Sequence, residues 1–186
     1  ATVAGTFAAI GLSSMRRRWR NPLMTVNNIP VMNAEIVTGV SMCLLFVAFF
    51  GFWNDFALWF NGLQGLVRLP SLKLGFGTLL IAHITFNIPY VILSVMPRLK
   101  QLNPSVYEAA LDLGASPWQA FFKVVFPDLL PGVMSGFLMA FTMSLDDFII
   151  THFTKGPGVD TLSTKIYTEV KKGIKPEMYA LSTLIF

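Results

Sequence analysis

The sequence is poor in charge. Charged side chains make up 13% of its 186 residues, about half of the roughly 25% that an average soluble domain carries. A surface in contact with water cannot be built from so few charges, and the run Ile36–Trp53 contains none. This run approaches the roughly 20 apolar residues that a helix needs to cross a bilayer. The sequence therefore predicts an all-α integral membrane protein with several spans.

Cysteine and histidine are also scarce. The single cysteine, Cys43, lies in an apolar run, which excludes an intrachain disulfide and is typical of a buried small side chain. Because His83 and His152 are the only histidines, we expect no metal site. The excess of 14 Lys and Arg over 10 Asp and Glu is interpreted as loop charge beside anionic lipid, and no nucleic-acid partner is expected.

Apolar runs predict three complete and two partial spans within one membrane domain covering residues 1–186. Complete helices are expected over about 32–52, 74–96 and 132–153. Residues 1–14 are too short to cross a bilayer, so they are interpreted as the end of a truncated span, and residues from about 178 as the start of another.

Helix-breaking residues predict the connections between these spans. Asn21-Pro22 and Ile29-Pro30 are expected to interrupt regular structure, and Pro97–Lys100 to end the second complete span. Residues 53–73 are expected to form an aromatic, turn-rich loop at the membrane surface.

The stretch 98–131 is different, because its caps predict two short amphipathic helices. Asn103 and Pro104 supply an N-cap and a proline at the first helical position, and Gly114 is expected to end that helix. Ser116 and Gln119 form a capping box that starts a second helix, expected to end near residues 126–127. Neither is long enough to span, so a helix pair lying at the membrane surface is predicted.

This stretch also carries a motif. Glu108, Ala109, Ala110 and Gly114, followed by Val124-x-Phe126-Pro127, fit E-A-A-x3-G-x9-I-x-L-P, with Val in place of Ile and Phe in place of Leu. The motif resembles the cytoplasmic loop signature of type I ABC-importer permeases. Most of the chain is similar to the PotC-type permease subunits of spermidine/putrescine importers, as judged from the segments 83–86, 89–91, 98–100, 144–148, 165–167, 170–171 and 176–177.

The resemblance implies a MetI-like ABC transporter permease bundle in a bacterial inner membrane, with residues 98–131 as a cytoplasmic coupling loop. It implies as partners an ABC ATPase subunit dimer, a second homologous permease subunit, an extracellular or periplasmic polyamine-binding protein, the polyamine and membrane lipid. The chain has no G-x-x-x-x-G-K-[ST] motif. We therefore expect no enzyme activity and no cofactor on this chain, with ATP and Mg bound by the ATPase.

The first helix of the loop is predicted to be amphipathic. Val106, Ala109, Ala110 and Leu113 follow helical spacing and form one apolar face, while Glu108 projects elsewhere. The resemblance implies that Glu108, Ala109, Ala110 and Gly114 contact the ATPase. The alternative is a helix pair that merely packs on the spans.

Acidic residues in the apolar runs are the candidates for the substrate pathway. Asp146 and Asp147 lie about 15 residues into their predicted span, where carboxylates are costly and face a cavity as a rule, and Glu35 is a third candidate near a helix start. The two aspartates point about 100° apart, and which of them faces the pathway stays open. The alternative is an interfacial acidic pair that is either bridged to Lys155 or capped by water.

Two further rows lie on the helices. His83, Asn87, Tyr90 and Ser94 form a polar row that either lines a cavity or bonds neighbouring helices, the second being favoured for His83. A row of small residues predicts a helix-packing face, namely Gly132, Gly136, Ala140 and Ser144.

The lysine-bearing loop over 154–177 is predicted to contain a helix that begins after Asp160 and ends at Gly173. It is either a docking site for the binding protein or a solvated basic face. Two other functions stay open: a permease for another small organic cation or metal complex, and an intramembrane aspartyl protease.

Overall fold

The structure is a computed structural model that describes residues 1–63, 70–173, 180 and 183. For residues 61–63 and 104 it describes the backbone alone. Its ordered elements are helical. A π-helical turn covers Phe121–Val125, and the α-helices within the described residues are α1 (Thr2–Ser14), α2 (Arg17–Met32), α3 (Glu35–Leu63), α4 (Phe76–Gln101), α5 (Pro104–Asp112), α6 (Pro117–Ala120), α7 (Phe126–Asp146), α8 (Ile149–Thr154) and α9 (Leu162–Lys172).

Three helical segments are long and apolar enough to cross a membrane, namely Glu35–Phe60, Phe76–Gln101 and Pro117–Asp146. This confirms the three complete spans. The first partial span is the short apolar helix α1, and the second, expected from about residue 178, falls outside the described residues.

The prolines do not interrupt the helices as the sequence predicted. Helix α2 runs through both Pro22 and Pro30, and α4 passes Pro97 and ends only at Gln101. Each proline removes one N–H donor, and the other main-chain bonds continue the helix on either side of it. The interruptions predicted at Pro22 and Pro30 are therefore wrong, whereas the end predicted at Pro97–Lys100 lies within one residue of the observed end at Gln101.

The loop predicted over residues 53–73 is also wrong in its first half, because α3 continues to Leu63. Phe56 explains the continuation, since its ring lies about one helical turn from three others. The ring centroids of Trp53, Trp59 and Phe60 lie 6.2, 6.0 and 6.1 Å from that of Phe56, and such pairs at i+3 and i+4 stabilise a helix.

The second helix of the predicted surface pair does not end near residue 126. Helix α6, the π turn and α7 form one helical segment over Pro117–Asp146, so the capping box at Ser116 starts a membrane span. Conversely, the span predicted over 132–153 is interrupted after Asp146, and α8 begins at Ile149.

The chain forms two compact units. The first comprises residues Ala1–Asn33 and Ile84–Ser144, and its core contains Val91, Val95 and Ala140. The predicted small-residue face accounts for this packing, because a Cβ on Gly136 would lie 3.2 Å from Val91 Cγ1. Close approach of the backbones therefore requires a residue without a side chain at position 136.

The second unit comprises Ala34–His83 and Leu145–Phe186, of which α3, the start of α4, α8 and α9 are described. Helix α8 packs against α3 at Gly39, where a Cβ would lie 3.3 Å from the ring of Phe153 and 3.5 Å from Ile149 Cγ2. Asn54 anchors the segment before α4, since its side chain accepts from the Leu72 N–H at 2.9 Å and donates to the Leu72 carbonyl at 3.2 Å.

Candidate functional site

Two sites stand out, and the first is a two-helix knob formed by residues 103–120. The Asn103 side chain accepts a hydrogen bond from the Ser105 N–H at 3.0 Å and caps the start of α5. The Ser116 hydroxyl accepts from Gln119 N–H at 3.3 Å, and the Gln119 side chain accepts from Ser116 N–H at 3.1 Å. Both predicted caps are confirmed.

The turn between the helices is a Schellman motif. The Ala115 N–H donates to the Ala110 carbonyl at 3.1 Å and the Gly114 N–H donates to the Leu111 carbonyl at 2.9 Å, which are the two bonds that define the motif. Gly114 has a φ of +85°, the left-handed conformation that glycine adopts without a steric penalty. The predicted helix stop is thereby confirmed, and the turn has a defined geometry.

The apolar side of the knob is exposed. Leu113 is 89% accessible, Trp118 72% and Val106 51%, and Glu108 is exposed beside them. Ala109 is exposed and Ala110 half-buried. Leu113 and Trp118 therefore make little contact with the rest of the described chain.

Gly114→Ala is expected to lower the free energy of unfolding of the knob by about 1–2 kcal/mol, because a Cβ disfavours the left-handed conformation by that amount. The measurement is the thermal midpoint of the detergent-purified protein. Gly11→Ala in α1 serves as the control, since an added Cβ there meets no atom within 4 Å. Equal midpoints for the two variants would contradict the strained-turn explanation.

The second site is the acidic break, which we define as residues 146–148 between α7 and α8. Asp146 is the last residue of α7 and is exposed, whereas Asp147 is only 9% accessible. Asp147 Oδ1 accepts a hydrogen bond from the Ile150 N–H at 2.9 Å, which caps the first turn of α8 in the manner of an N-cap carboxylate. The two aspartates therefore diverge, as their spacing predicted.

His83 lies against the acidic break. Its Nε2 is 2.9 Å from the Thr151 hydroxyl oxygen and 3.9 Å from Asp147 Oδ2. The prediction that His83 makes an interhelical contact is therefore confirmed. The Thr78 hydroxyl donates to the Thr154 carbonyl at 2.8 Å, so the two ends of α8 are both bonded to α4.

Helix α9 is also attached to the break. The Ser163 hydroxyl donates to the Asp147 carbonyl oxygen at 3.0 Å, and the rings of Phe148 and Tyr167 lie 4.3 Å apart between centroids. Lys171 Nζ lies 4.8 Å from the Tyr167 ring, within the range of a cation–π contact. The helix predicted after Asp160 is thus confirmed.

The other predicted pathway residues lie apart from each other. Glu35 is exposed at the first residue of α3. Asn87 is buried and Tyr90 half-buried further along α4, in the first unit. The structure thus brings together Asp147 and His83 within the second unit, and the polar row of α4 divides between the two units.

The suggested bridge from the aspartates to Lys155 is wrong. Lys155 Nζ instead lies 2.9 Å from Asp160 Oδ1. Sequence reasoning also missed the hydroxyls that complete the break, since Thr78, Thr151 and Ser163 were not among the candidates. Thr151 follows Asp147 by one helical turn, and this i+4 spacing was the one local signal for it.

The chain belongs to the family described as binding-protein-dependent transport system inner membrane component, whose pattern matches residues 1–185. The inner-membrane location fits the three long apolar helices. This membership confirms the MetI-like permease fold class and the resemblance to type I importer permeases.

Among curated relatives, the putrescine transport system permease protein PotI of Escherichia coli (strain K12) is 38% identical over 186 residues, which are 100% of this chain and 61% of PotI. The spermidine/putrescine transport system permease protein PotC of the same strain is 34% identical over 185 residues, 100% of this chain and 62% of PotC. PotC of Haemophilus influenzae is 35% identical over 185 residues, which are 100% of this chain and 64% of that PotC. The chain spans about three-fifths of the length of these relatives.

The family and the geometry both disfavour the protease hypothesis. An aspartyl protease needs two carboxylates that converge on one water molecule. Asp146 is exposed, whereas the carboxylate of Asp147 caps α8 and faces His83. The two carboxylates do not converge on one water molecule as a protease requires.

Proposed function

We propose that this chain is part of a permease subunit of an ATP-driven importer of polyamines, the class that includes spermidine and putrescine. The observation that carries the proposal is similarity along the whole chain, at 34–38% identity, to permeases named for putrescine and spermidine/putrescine transport. A motif shared by all importers would support the architecture alone. Similarity of this extent supports the substrate class as well.

The chemistry of the acidic break supports a cationic cargo. A polyamine is a flexible apolar chain with several ammonium groups, so its path needs carboxylates in a cavity and aromatic faces. Asp146 follows a long apolar helix and is exposed, and Glu35 is exposed in the same unit. Carboxylates in an apolar segment are costly unless a cation or a water-filled cavity compensates them.

The knob supports coupling to a separate motor. Leu113, Val106 and Trp118 are exposed apolar side chains of the knob, and Glu108 is exposed on α5, which suits insertion into a groove on an ATPase subunit. In this proposal an ABC ATPase dimer binds ATP and Mg, and this chain transmits its movement. The chain itself is not an enzyme.

The remaining partners follow from the same proposal. A second homologous permease subunit would complete the substrate path, and an extracellular or periplasmic polyamine-binding protein would deliver the cargo. Helix α9 is a candidate docking element for that protein, because Val170 and Tyr167 are about half exposed on a helix bearing Lys165, Lys171 and Lys172.

The test is uptake by cells that lack their own polyamine importers and express the full-length protein with its companion subunits. Radiolabelled putrescine or spermidine is expected to accumulate with ATP and to be displaced by unlabelled polyamine. An unrelated organic cation and a metal complex serve as comparison cargoes. Accumulation of one of these with no polyamine uptake would keep the permease architecture and overturn the polyamine assignment.

A further inference from the structure

Resting on the proposed function, we propose that Asp147 is a positioning residue that holds α8 and α9 at the acidic break, and that Asp146 is the aspartate that meets the cationic cargo. The sequence left these two neighbours equivalent. Their surroundings in the structure differ in hydrogen bonding, in exposure and in the direction of the side chain.

The Asp147 carboxylate is buried, with one oxygen bonded to the protein and the other lacking a hydrogen-bond partner among the described residues. Its Oδ1 accepts from the Ile150 N–H at 2.9 Å, and its Oδ2 faces His83 Nε2 at 3.9 Å. The Asp147 side chain is 6% exposed, so a hydrated ammonium group has no access to it. Its hydrogen bond satisfies the Ile150 N–H in the first turn of α8, which would otherwise be buried without a partner.

The main chain of Asp147 serves the same purpose. Its carbonyl oxygen accepts from the Ser163 hydroxyl of α9 at 3.0 Å, and the ring of the next residue, Phe148, packs at a tilt against that of Tyr167 of α9. Gly39 lets α8 approach α3 closely. Asp147 therefore lies where α7 ends and where α8 and α9 are fixed.

Asp146 has the opposite surroundings. It is exposed, and it forms no salt bridge with a basic side chain of the described residues. It lies at the C-terminal end of α7, where unsatisfied carbonyls give the helix dipole its negative end and favour a cation. Its charge is therefore available to a ligand, and that of Asp147 is not.

Asparagine and alanine distinguish the two roles. The amide oxygen of asparagine accepts the Ile150 bond, so Asp147→Asn removes the charge and keeps the cap, whereas Asp147→Ala removes both. At position 146, Asp146→Asn removes the charge that we assign to cargo binding. Asp160→Asn is the matched control, because that carboxylate is 70% exposed and pairs with Lys155.

The experiment measures KM and maximal rate of polyamine uptake by the full importer in proteoliposomes. Asp146→Asn is expected to raise KM at least about 10-fold, the loss of one charge-assisted contact. Asp147→Asn is expected to stay within about 2-fold of wild type. Asp147→Ala is expected to lower the maximal rate at least about 5-fold with an unchanged KM, in line with a lost cap. Asp160→Asn should change neither.

An unchanged KM for Asp146→Asn, or a loss of uptake in Asp147→Asn as severe as in Asp147→Ala, would overturn the inference. Size-exclusion profiles of each purified complex show whether Asp147→Ala assembles. If it does not, Asp147→Asn and Asp146→Asn still test the inference. Absence of polyamine uptake by the wild-type importer would instead refute the proposed function.

Discussion

Glu108→Lys is expected to reduce polyamine uptake about 10- to 100-fold while the complex still assembles in the membrane. Glu108 is an exposed carboxylate on α5 of the knob. In the proposed complex it pairs with a polar or basic group of the ATPase. Losing a hydrogen bond to a charged group costs about 1.5–3 kcal/mol, and each 1.4 kcal/mol corresponds to a factor of ten.

The measurement combines uptake with ATP hydrolysis in the same proteoliposomes. Hydrolysis by the Glu108→Lys complex is expected to lose its stimulation by polyamine-loaded binding protein. Asp55→Lys is the control, since Asp55 is an exposed carboxylate of α3 outside the motif and the substitution changes net charge equally. If both variants lost stimulation alike, the effect would be one of net charge, and Glu108 would have no specific part in coupling.

Gly156→Ala is expected to prevent stable folding of the second unit. A Cβ at position 156 would lie 2.0 Å from the Leu74 carbonyl oxygen and 2.8 Å from Gly75 Cα. These are main-chain atoms, which cannot rotate away as a side chain can. The loss in free energy of unfolding should exceed about 4 kcal/mol, the range reserved for severe steric or core defects.

The yield of monodisperse protein and its thermal midpoint in detergent measure this effect. Gly77→Ala in α4 is the matched control, because an added Cβ there meets no atom within 4 Å. Alanine is favoured over glycine inside a helix by about 0.5–1 kcal/mol, so the control should be neutral or slightly stabilised. A Gly156→Ala protein as stable as this control would show that residues 74–75 do not pack against Gly156.

Local signals predicted the knob well. Asn103, Ser116 and Gly114 act through backbone groups at most five residues away, so their geometry follows from the sequence around them. Gly173, with a φ of +106°, ends α9 as predicted for the same reason. The number of spans was predictable as well, because bilayer thickness sets the length of an apolar helix, whereas the bounds of the first and third spans were not.

Features that depend on distant residues could not be predicted. Whether Asp146 or Asp147 is buried is decided by α4 and α9, whose contributions to the break are His83 and Ser163. Sequence periodicity places a residue on a helix face, and it gives no measure of which partner that face meets.

The bonds of the acidic break have a consequence for the order in which the protein is made. Main-chain polar groups at a helix end cannot be left unsatisfied in lipid. The Asp147 carbonyl is satisfied by Ser163, 16 residues later in the chain, and the Thr154 carbonyl by Thr78, 76 residues earlier. Since chains fold from the N-terminus during synthesis, α8 can find its first partner at once, whereas its junction with α7 is completed only after α9 has left the ribosome.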